Sequence, residues 1–162
     1  YMMFHEEAGD LVKDPVVAEV AGAMRESMDF LAELMDAGVI NGQMKEVKTS
    51  VAYKNPCHAN VAGVGKSATK VLNNIPGVEV KVDYDTCCGM AGTYGMKEKN
   101  FDRSMTIAEP MVESLKGAGA DQVCTTCGTC SIQIHQGLGK TPEHPMTIVA
   151  KSLGLDPKGR NF

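Results

Sequence analysis

The sequence predicts an α/β fold, in which a small parallel sheet is flanked by helices and preceded by an N-terminal helical extension. Two observations lead to this class. Residues 78–84 alternate apolar and polar side chains strictly, which is typical of a β-strand. From residue 47 onward, strand-like and helix-like segments follow each other in turn, and this order implies parallel strands joined by right-handed helical crossovers. The extension spans residues 1–46, and the α/β domain spans residues 47–162.

The extension is predicted to be helical from Asp14-Pro15, because aspartate is a good N-cap and proline fits the first helical turn. Apolar residues then recur at steps of three and four, as on one face of a helix. They are Val17, Val20, Met24, Met28, Leu31 and Leu34. We expect this stripe to pack in the core and the helix to end at Gly38.

The α/β domain begins with a predicted strand at residues 47–53. Apolar residues between 61 and 75 lie on one helical face, and Pro76-Gly77 ends that helix. The second strand, 78–84, leads into Cys87-Cys88-Gly89 and a glycine-rich loop. The first half of the domain is therefore predicted to run strand, helix, strand.

The second half of the domain continues this alternation. A long helix is predicted across residues 101–117, with the proline at its centre kinking or splitting it. Residues 121–124 are predicted to form a short third strand, which leads into Cys127-x-x-Cys130 and a helix that starts there. A last helix begins near Pro145, and the polar tail over residues 156–162 is expected to fray.

Composition and charge restrict the classes of function. The chain has 162 residues, of which 43% are hydrophobic and 22% charged, as in an ordinary globular domain. A net charge of −4 and the absence of tryptophan argue against nucleic acid as a partner. We predict no transmembrane segment, because no run reaches about 18 apolar residues. The first residues also lack the pattern of a signal peptide.

Six cysteines lie between residues 57 and 130, and most stand in tight groups. They are Cys57, Cys87, Cys88, Cys124, Cys127 and Cys130. Adjacent thiols and a C-x-x-C pair suit one shared metal site better than separate disulfides. We therefore expect reduced thiolates in a cytoplasmic protein.

The cysteine groups are expected to converge at one edge of the sheet. One group follows each predicted strand: Cys57, then Cys87 and Cys88, then Cys127 and Cys130. The carboxyl ends of parallel strands meet at the same edge, where open α/β sheets usually bind ligands. Helix N-termini at that edge favour the thiolate form of cysteine. The sequence therefore predicts a metal site there.

The number of thiols favours a multi-iron cluster over zinc. A structural zinc uses about four ligands, whereas five cysteines are predicted at this edge. The count indicates an iron–sulfur cluster, or four ligands and one reactive thiol, with zinc as the alternative. Cys124 lies inside the third predicted strand and is interpreted as a small core residue.

Two neighbours of these cysteines are candidates for a supporting role. His58 follows Cys57 and could donate a hydrogen bond to the site or relay protons, although a surface or capping role explains it equally well. Gly89 follows the adjacent cysteines and would let its backbone N–H approach a sulfur, because no Cβ intervenes. His135 and His144 are interpreted as structural.

Other possible motifs are weaker. Gly65-Lys66-Ser67 suggests a phosphate loop, but the pattern needs a glycine where Asn60 stands, so we interpret Lys66 as a solvated helix residue. Asp83 and Asp85 lie near the cysteine edge and could act as acid–base groups, although solvated loop carboxylates are the commoner case. None of these residues competes with the cysteines as a predicted site.

The cysteine pattern, Cys57 followed by Cys87-Cys88-Gly89 and then Cys127-x-x-Cys130, resembles the cysteine-rich CCG domain family across about residues 47–155. This domain occurs in heterodisulfide reductase and in the iron–sulfur subunits of glycolate and lactate oxidases. The flanking residues, including Pro56-Cys57-His58 and the run 90–95, also resemble those of the CCG-containing subunits of anaerobic glycerol-3-phosphate dehydrogenases.

The resemblance implies a [4Fe-4S] cluster, of the noncubane type in heterodisulfide reductase. The implied ligands are Cys57, Cys87, Cys88, Cys127 and Cys130. Relatives usually carry two such domains, and this chain, which starts at Tyr1, is most similar to the second. We therefore expect a fragment or a split subunit of a larger complex.

Three functional hypotheses follow. The first is an iron–sulfur electron-transfer subunit that passes electrons from a flavoprotein or other redox subunit towards quinone or another acceptor, at the inner face of the membrane through a membrane subunit. The second is a disulfide reductase with the cluster as its catalytic site. The third is a zinc-stabilised interaction module. A substrate pocket beside the cysteines would favour the second hypothesis, and a colourless zinc protein would leave only the third.

Overall fold

The computed structural model describes Tyr1 and residues 3–156, so most of the tail expected to fray lies outside the described residues. The strands are β1 (Thr49–Lys54), β2 (Val78–Tyr84) and β3 (Gln122–Thr125). A π-helical turn at Met3–Glu7 precedes the α-helices. The helices are α1 (Ala8–Leu11), α2 (Val16–Ala23), α3 (Ser27–Asp36), α4 (Cys57–Val61), α5 (Ser67–Asn73), α6 (Phe101–Gly117), α7 (Gly128–Leu138) and α8 (Pro145–Ser152).

The three strands are parallel and lie in the order β2-β1-β3, which confirms the predicted fold class. β1 is the central strand, and each of its six residues is buried. The pairing of β1 with β2 shifts register between Val51 and Ala52. Because the strands are parallel, the loops that follow all three leave the sheet at the same edge.

Helices cover both faces of the sheet. One face of β1 carries Val51 and Tyr53, which pack in a core with residues of α3, α5 and α8. The other face carries Ala52, which packs in a second core with residues of α6 and α7. Side chains alternate along a strand, so β1 divides the interior into these two cores.

The predicted extension is helical, but its apolar stripe does not form one continuous helix. Met24 adopts an extended conformation with ψ 140° and ends α2. The Glu26 carboxylate then accepts the backbone N–H groups of Met28 and Asp29 and caps α3. This acidic cap satisfies N–H groups that lack a partner at the start of a helix. α3 packs against α5, within the core of the α/β domain.

Two helix predictions for the α/β domain also need correction. The predicted helix over 61–75 is shorter than expected, because α4 ends at Val61, Gly63 adopts a φ of 77°, which interrupts a helix, and α5 begins only at Ser67. α6 continues through Pro110, so the predicted splitting is wrong. Proline removes only one backbone bond, and buried side chains on both sides of it hold α6 in place. α7 begins at Gly128 with Cys127 as its N-cap, within the segment where a helix was predicted to start.

Asp121 connects the start of β3 to β1. Its Oδ2 atom accepts two hydrogen bonds from Ser50, one from the backbone N–H and one from the hydroxyl, both at 2.8 Å. These bonds, the backbone one first, hold the pKa of the Asp121 carboxyl below its usual value. The ionised carboxylate therefore stabilises the pairing of these strands.

We expect Asp121→Asn to lower the urea midpoint of unfolding at pH 7. The folded pKa of Asp121 lies below the unfolded value of about 3.9. Its contribution is therefore complete above that value and is lost as the pH falls through the folded pKa. Urea titrations should show the two proteins converging at acid pH, while the exposed control Glu79→Gln shows no such trend. A difference that stays constant with pH would contradict the prediction.

Within the described part of the chain, no helix combines the length and the apolar character that crossing a membrane requires.

Candidate cysteine site

The five predicted ligands lie beyond the carboxyl ends of the three strands. Cys57 is the first residue of α4, after β1, and Cys87 and Cys88 lie in the loop after β2. Cys127 is the N-cap of α7, and Cys130 lies in the first turn of this helix. All six cysteines are free thiols. The parallel topology therefore brings these segments to one edge of the sheet.

Two of the five side chains are joined by a hydrogen bond, and a third is coupled to them electrostatically. The Sγ atom of Cys130 donates to the Sγ atom of Cys88 over 3.3 Å, and Cys127, three residues before Cys130, influences the pKa of both. Cys88 and Cys130 are buried, whereas Cys127 is partly exposed. We call these three residues the thiol group. It joins two segments that lie 42 residues apart in the sequence.

Cys57 and Cys87 lie at the same edge but are not joined to the thiol group. Cys57 is exposed and Cys87 is partly buried. The Sγ atom of Cys87 accepts a hydrogen bond from the backbone N–H of Gly89 at 3.3 Å. In the described part of the chain, no three or more His, Cys, Asp and Glu side chains are arranged to hold a single metal ion. The role of all five cysteines as ligands therefore stays a prediction.

The thiol group shares its protons unevenly. The hydrogen bond from Cys130 lowers the pKa of Cys127 to about 4, and burial opposes this effect. The Thr129 hydroxyl, 3.1 Å from Sγ of Cys127, acts in the same direction as Cys130. The bond from Cys130 is also the main cause that lowers the pKa of Cys88.

Cys130 is the thiol that keeps its proton. Its hydrogen bonds to Cys127 and Cys88 raise its pKa far above the usual range, and burial adds to this effect. The N-terminus of α7 favours negative charge at its N-cap, Cys127. Two members of the thiol group are thus prepared as thiolates, the form that binds metals. Binding through all three would release the proton of Cys130.

The loop after Cys88 is fixed by Gly89, whose φ of 85° favours glycine. A Cβ atom on Gly89 would lie 2.2 Å from the carbonyl oxygen of Ser104 in α6. The Ser104 hydroxyl donates to the Gly89 carbonyl over 2.9 Å, and the Gln133 amide of α7 donates to the same hydroxyl over 3.0 Å. These contacts hold the Cys88 loop against α6 and α7. Sequence analysis missed Ser104 and Gln133, because hydrogen bonds between remote segments leave no local pattern.

Lys54 is a second residue that sequence analysis did not single out. It is the last residue of β1 and is 0% exposed. Its ammonium group donates to the Asn55 carbonyl and lies 5.8 Å from the ring centre of Tyr84. Its positive charge contributes to lowering the pKa of Cys88, after the larger effect of the bond from Cys130. The burial of Lys54 follows from the covering of β1 on both faces of the sheet, which its sequence context does not indicate.

Cys124 is separated from the thiol group by the sheet. Its side chain is 0% exposed and packs in the core formed with α3, α5 and α8, as expected for a small core residue. Burial raises the pKa of its thiol to about 12. At neutral pH, Cys124 is therefore a protonated packing residue.

The remaining candidates have ordinary contacts. His58 is exposed, and its charge adds slightly to the lowering of the pKa of Cys127. His144 caps α8 by accepting the N–H of Met146 over 3.1 Å, as its structural interpretation predicts. Lys66 is exposed and forms a 2.9 Å ion pair with Asp83.

A cavity of about 440 Å³ lies next to the site. His58 and Thr126, the sequence neighbours of Cys57 and Cys127, form part of its wall together with Tyr53. Among the described residues that line it there is no cysteine. A small molecule bound in this cavity would meet imidazole and hydroxyl groups beside the segments that carry Cys57 and Cys127.

The fold and the site define a small parallel α/β domain that gathers cysteines at one edge. The family model described as the CCG cysteine-rich domain matches residues 51–135, which contain all six cysteines. The chain therefore belongs to the CCG cysteine-rich domain family, as its cysteine pattern indicated.

Several curated proteins are similar to this chain. It is 39% identical over 110 residues to a subunit of the anaerobic glycerol-3-phosphate dehydrogenase of Escherichia coli (strain K12), a match that covers 68% of this chain and 28% of the relative. It is 32% identical over 115 residues to a subunit of the CoM/CoB fumarate reductase of Methanothermobacter marburgensis, covering 69% and 22%. Lactate utilization protein A of Lysinibacillus sphaericus is 26% identical over 139 residues, covering 82% and 59%.

The aligned part of the chain spans only 28% and 22% of the first two relatives. By their names, both relatives are subunits of oxidoreductases, a dehydrogenase and a reductase. The similarity therefore concerns one domain within longer subunits.

Proposed function

We propose that this chain is the iron–sulfur electron-transfer part of a larger oxidoreductase, with a [4Fe-4S] cluster at the carboxyl edge of its sheet. The observation that carries the proposal is the contact of Cys88 and Cys130, which brings soft donors from two remote segments to 3.3 Å beside Cys127 at the N-terminus of α7. The membership of the chain in the CCG family supports the same conclusion. The oxidoreductase subunits among its relatives support it further.

The residues present fit such a cluster. The donor set consists of thiols, two of them favoured as thiolates, and soft sulfur ligands suit iron–sulfur clusters. The proposed ligands are Cys57, Cys87, Cys88, Cys127 and Cys130. The Gly89 N–H, which donates to Sγ of Cys87, provides the kind of hydrogen bond that tunes cluster sulfurs. Using all five ligands requires the exposed Cys57 to turn towards the thiol group.

A bound cluster of this type accepts and donates single electrons. The protein provides the surroundings of the cysteine sulfurs. The α7 N-terminus stabilises negative charge at Cys127, and burial of Cys88 and Cys130 keeps water from their sulfurs. His58 lies exposed beside Cys57 and is available for proton exchange with solvent. We do not assign it a catalytic role, because the proposed reaction is electron transfer.

We infer that the partners are a flavoprotein or other redox subunit and a membrane subunit, and that the chain acts on the cytoplasmic side of the membrane. An electron-transfer centre needs a donor and an acceptor, and the chain corresponds to a small part of the relatives that are named as subunits. Disulfide reduction remains the alternative function, with zinc binding as the third.

Metal analysis of anaerobically purified protein tests the proposal directly. We expect about four iron and four acid-labile sulfide per chain, since a [4Fe-4S] cluster contains these atoms. The protein should be brown and should give an EPR signal in one of its redox states. One zinc per chain without sulfide would contradict the proposal and would favour the zinc-stabilised module.

A further inference from the structure

Lys54 carries a positive charge in the interior without a full counter-charge from the protein. Its side chain is 0% exposed. Among the residues that the structure describes, no carboxylate oxygen lies within 4.0 Å of its ammonium nitrogen. A buried charge is strongly unfavourable unless it is paired, so this lysine requires an explanation.

The partners that the structure does provide are weak. The Asn55 carbonyl accepts a hydrogen bond from the ammonium, and the Tyr84 ring lies 5.8 Å from it. A carbonyl and an aromatic face offer only partial negative charge. These contacts orient the ammonium, but they do not neutralise it.

The carboxylate of Asp83, the residue before Tyr84 in β2, forms its ion pair with another lysine. Its Oδ2 atom forms a 2.9 Å ion pair with Lys66 and lies 3.4 Å from the Thr69 hydroxyl of α5. Asp83 and Tyr84 are consecutive residues of β2, so their side chains point to opposite faces of the sheet. Tyr84 is the one that lies on the side of Lys54.

The thiol group lies on the face to which Lys54 points. Lys54 and Ala52 are two residues apart on β1 and therefore share a face, and Ala52 packs in the core that contains Cys88 and Cys130. The sulfurs of Cys88 and Cys130 therefore lie on the same side of the sheet as the Lys54 side chain.

We propose that the Lys54 ammonium is the built-in counter-charge of the cysteine site, which stabilises the anionic cluster bound there. This inference rests on the proposed function. A cluster held by four or more thiolates carries net negative charge, and reduction adds another electron. A fixed positive charge beside it therefore favours both retention of the cluster and its reduced form.

The test compares Lys54→Met with wild-type protein, without and with the cluster. Methionine fills a similar volume without the charge, so the urea midpoint of the apo protein should stay unchanged or rise. After anaerobic loading, the midpoint potential should become more negative, and transfer of iron to a chelator should become about tenfold faster. Lys54→Arg, which keeps the charge, should stay close to the wild type in potential. Lys81→Met removes an exposed lysine of β2 and serves as the matched control.

The outcomes separate this inference from the proposed function. If wild-type protein takes up no iron and sulfide, the proposed function fails. If wild-type protein loads but Lys54→Met keeps its potential and its rate of iron loss, the inference about Lys54 is wrong. If the methionine variant is insoluble, Lys54→Gln removes the charge while keeping a polar side chain, and an unchanged potential in that variant overturns the inference equally.

Discussion

Cys130→Ser is expected to reduce iron from about four atoms per chain to less than one, whereas Cys124→Ser retains it. The reason is that Cys130 contacts Cys88 and lies in the first turn of the helix that Cys127 caps, while Cys124 lies in the core on the opposite face of the sheet. A serine hydroxyl is a harder and shorter donor and is a poor substitute for a cluster thiolate. Cys88→Ser should behave like Cys130→Ser. Iron and sulfide per chain after anaerobic reconstitution are the measurement.

The Cys130→Ser and Cys124→Ser variants serve as controls for each other. Both replace a fully or nearly fully buried cysteine, with exposures of 3% for Cys130 and 0% for Cys124. Far-UV circular dichroism should show that both remain folded. Equal loss of iron in both variants would mean that the ligands are wrongly assigned.

Gly89→Ala is expected to destabilise the apo protein by about 2–4 kcal/mol. The new Cβ would lie 2.2 Å from the Ser104 carbonyl oxygen, and that oxygen belongs to the backbone of α6 and cannot move freely. A φ of 85° adds conformational strain for any residue with a side chain. Urea unfolding under anaerobic, reducing conditions measures the loss.

Gly92→Ala is the matched control for this change. Gly92 also has a positive φ, of 65°, but nothing lies within 4 Å of its added Cβ. Its cost should therefore be that of the left-handed backbone alone, about 1–2 kcal/mol. If the two variants lose the same stability, the close approach of Gly89 to α6 does not matter for the fold.

The sequence could predict those features that depend on local pattern. The strict alternation from Val78 to Tyr84 predicted β2, and the order of segments predicted a parallel sheet. The position of Cys124 within β3 separated it from Cys127, which lies beyond the strand, and the structure places the Cys124 side chain in the core.

The features that were missed depend on contacts between distant parts of the chain. The break between α2 and α3 follows from the Glu26 cap, which a continuous apolar stripe conceals. The contacts of Ser104 and Gln133 join α6 to α7 and leave no periodic signal. Lys54 has the sequence context of a polar strand residue, and only its central position between two helical layers buries it.

The extension illustrates the same limit. Its helical character and the packing of its apolar stripe in a core were predicted, but not that this core is the one of the α/β domain. Met28, Ala32 and Met35 of α3 are buried in the same core as the α5 and α8 side chains. The boundary that we place at residue 46 therefore divides the chain by sequence pattern, and α3 contributes directly to the hydrophobic core of the α/β domain.

The long-range contact between Cys88 and Cys130 connects cofactor loading to folding. These sulfurs are separated by 42 residues and are brought to 3.3 Å only when β2, α6, β3 and α7 are assembled. A cofactor that binds this arrangement and has no affinity for the unfolded chain shifts the folding equilibrium by mass action. Oxidative destruction of the cofactor would then lower the thermal stability of the protein and also abolish its redox activity.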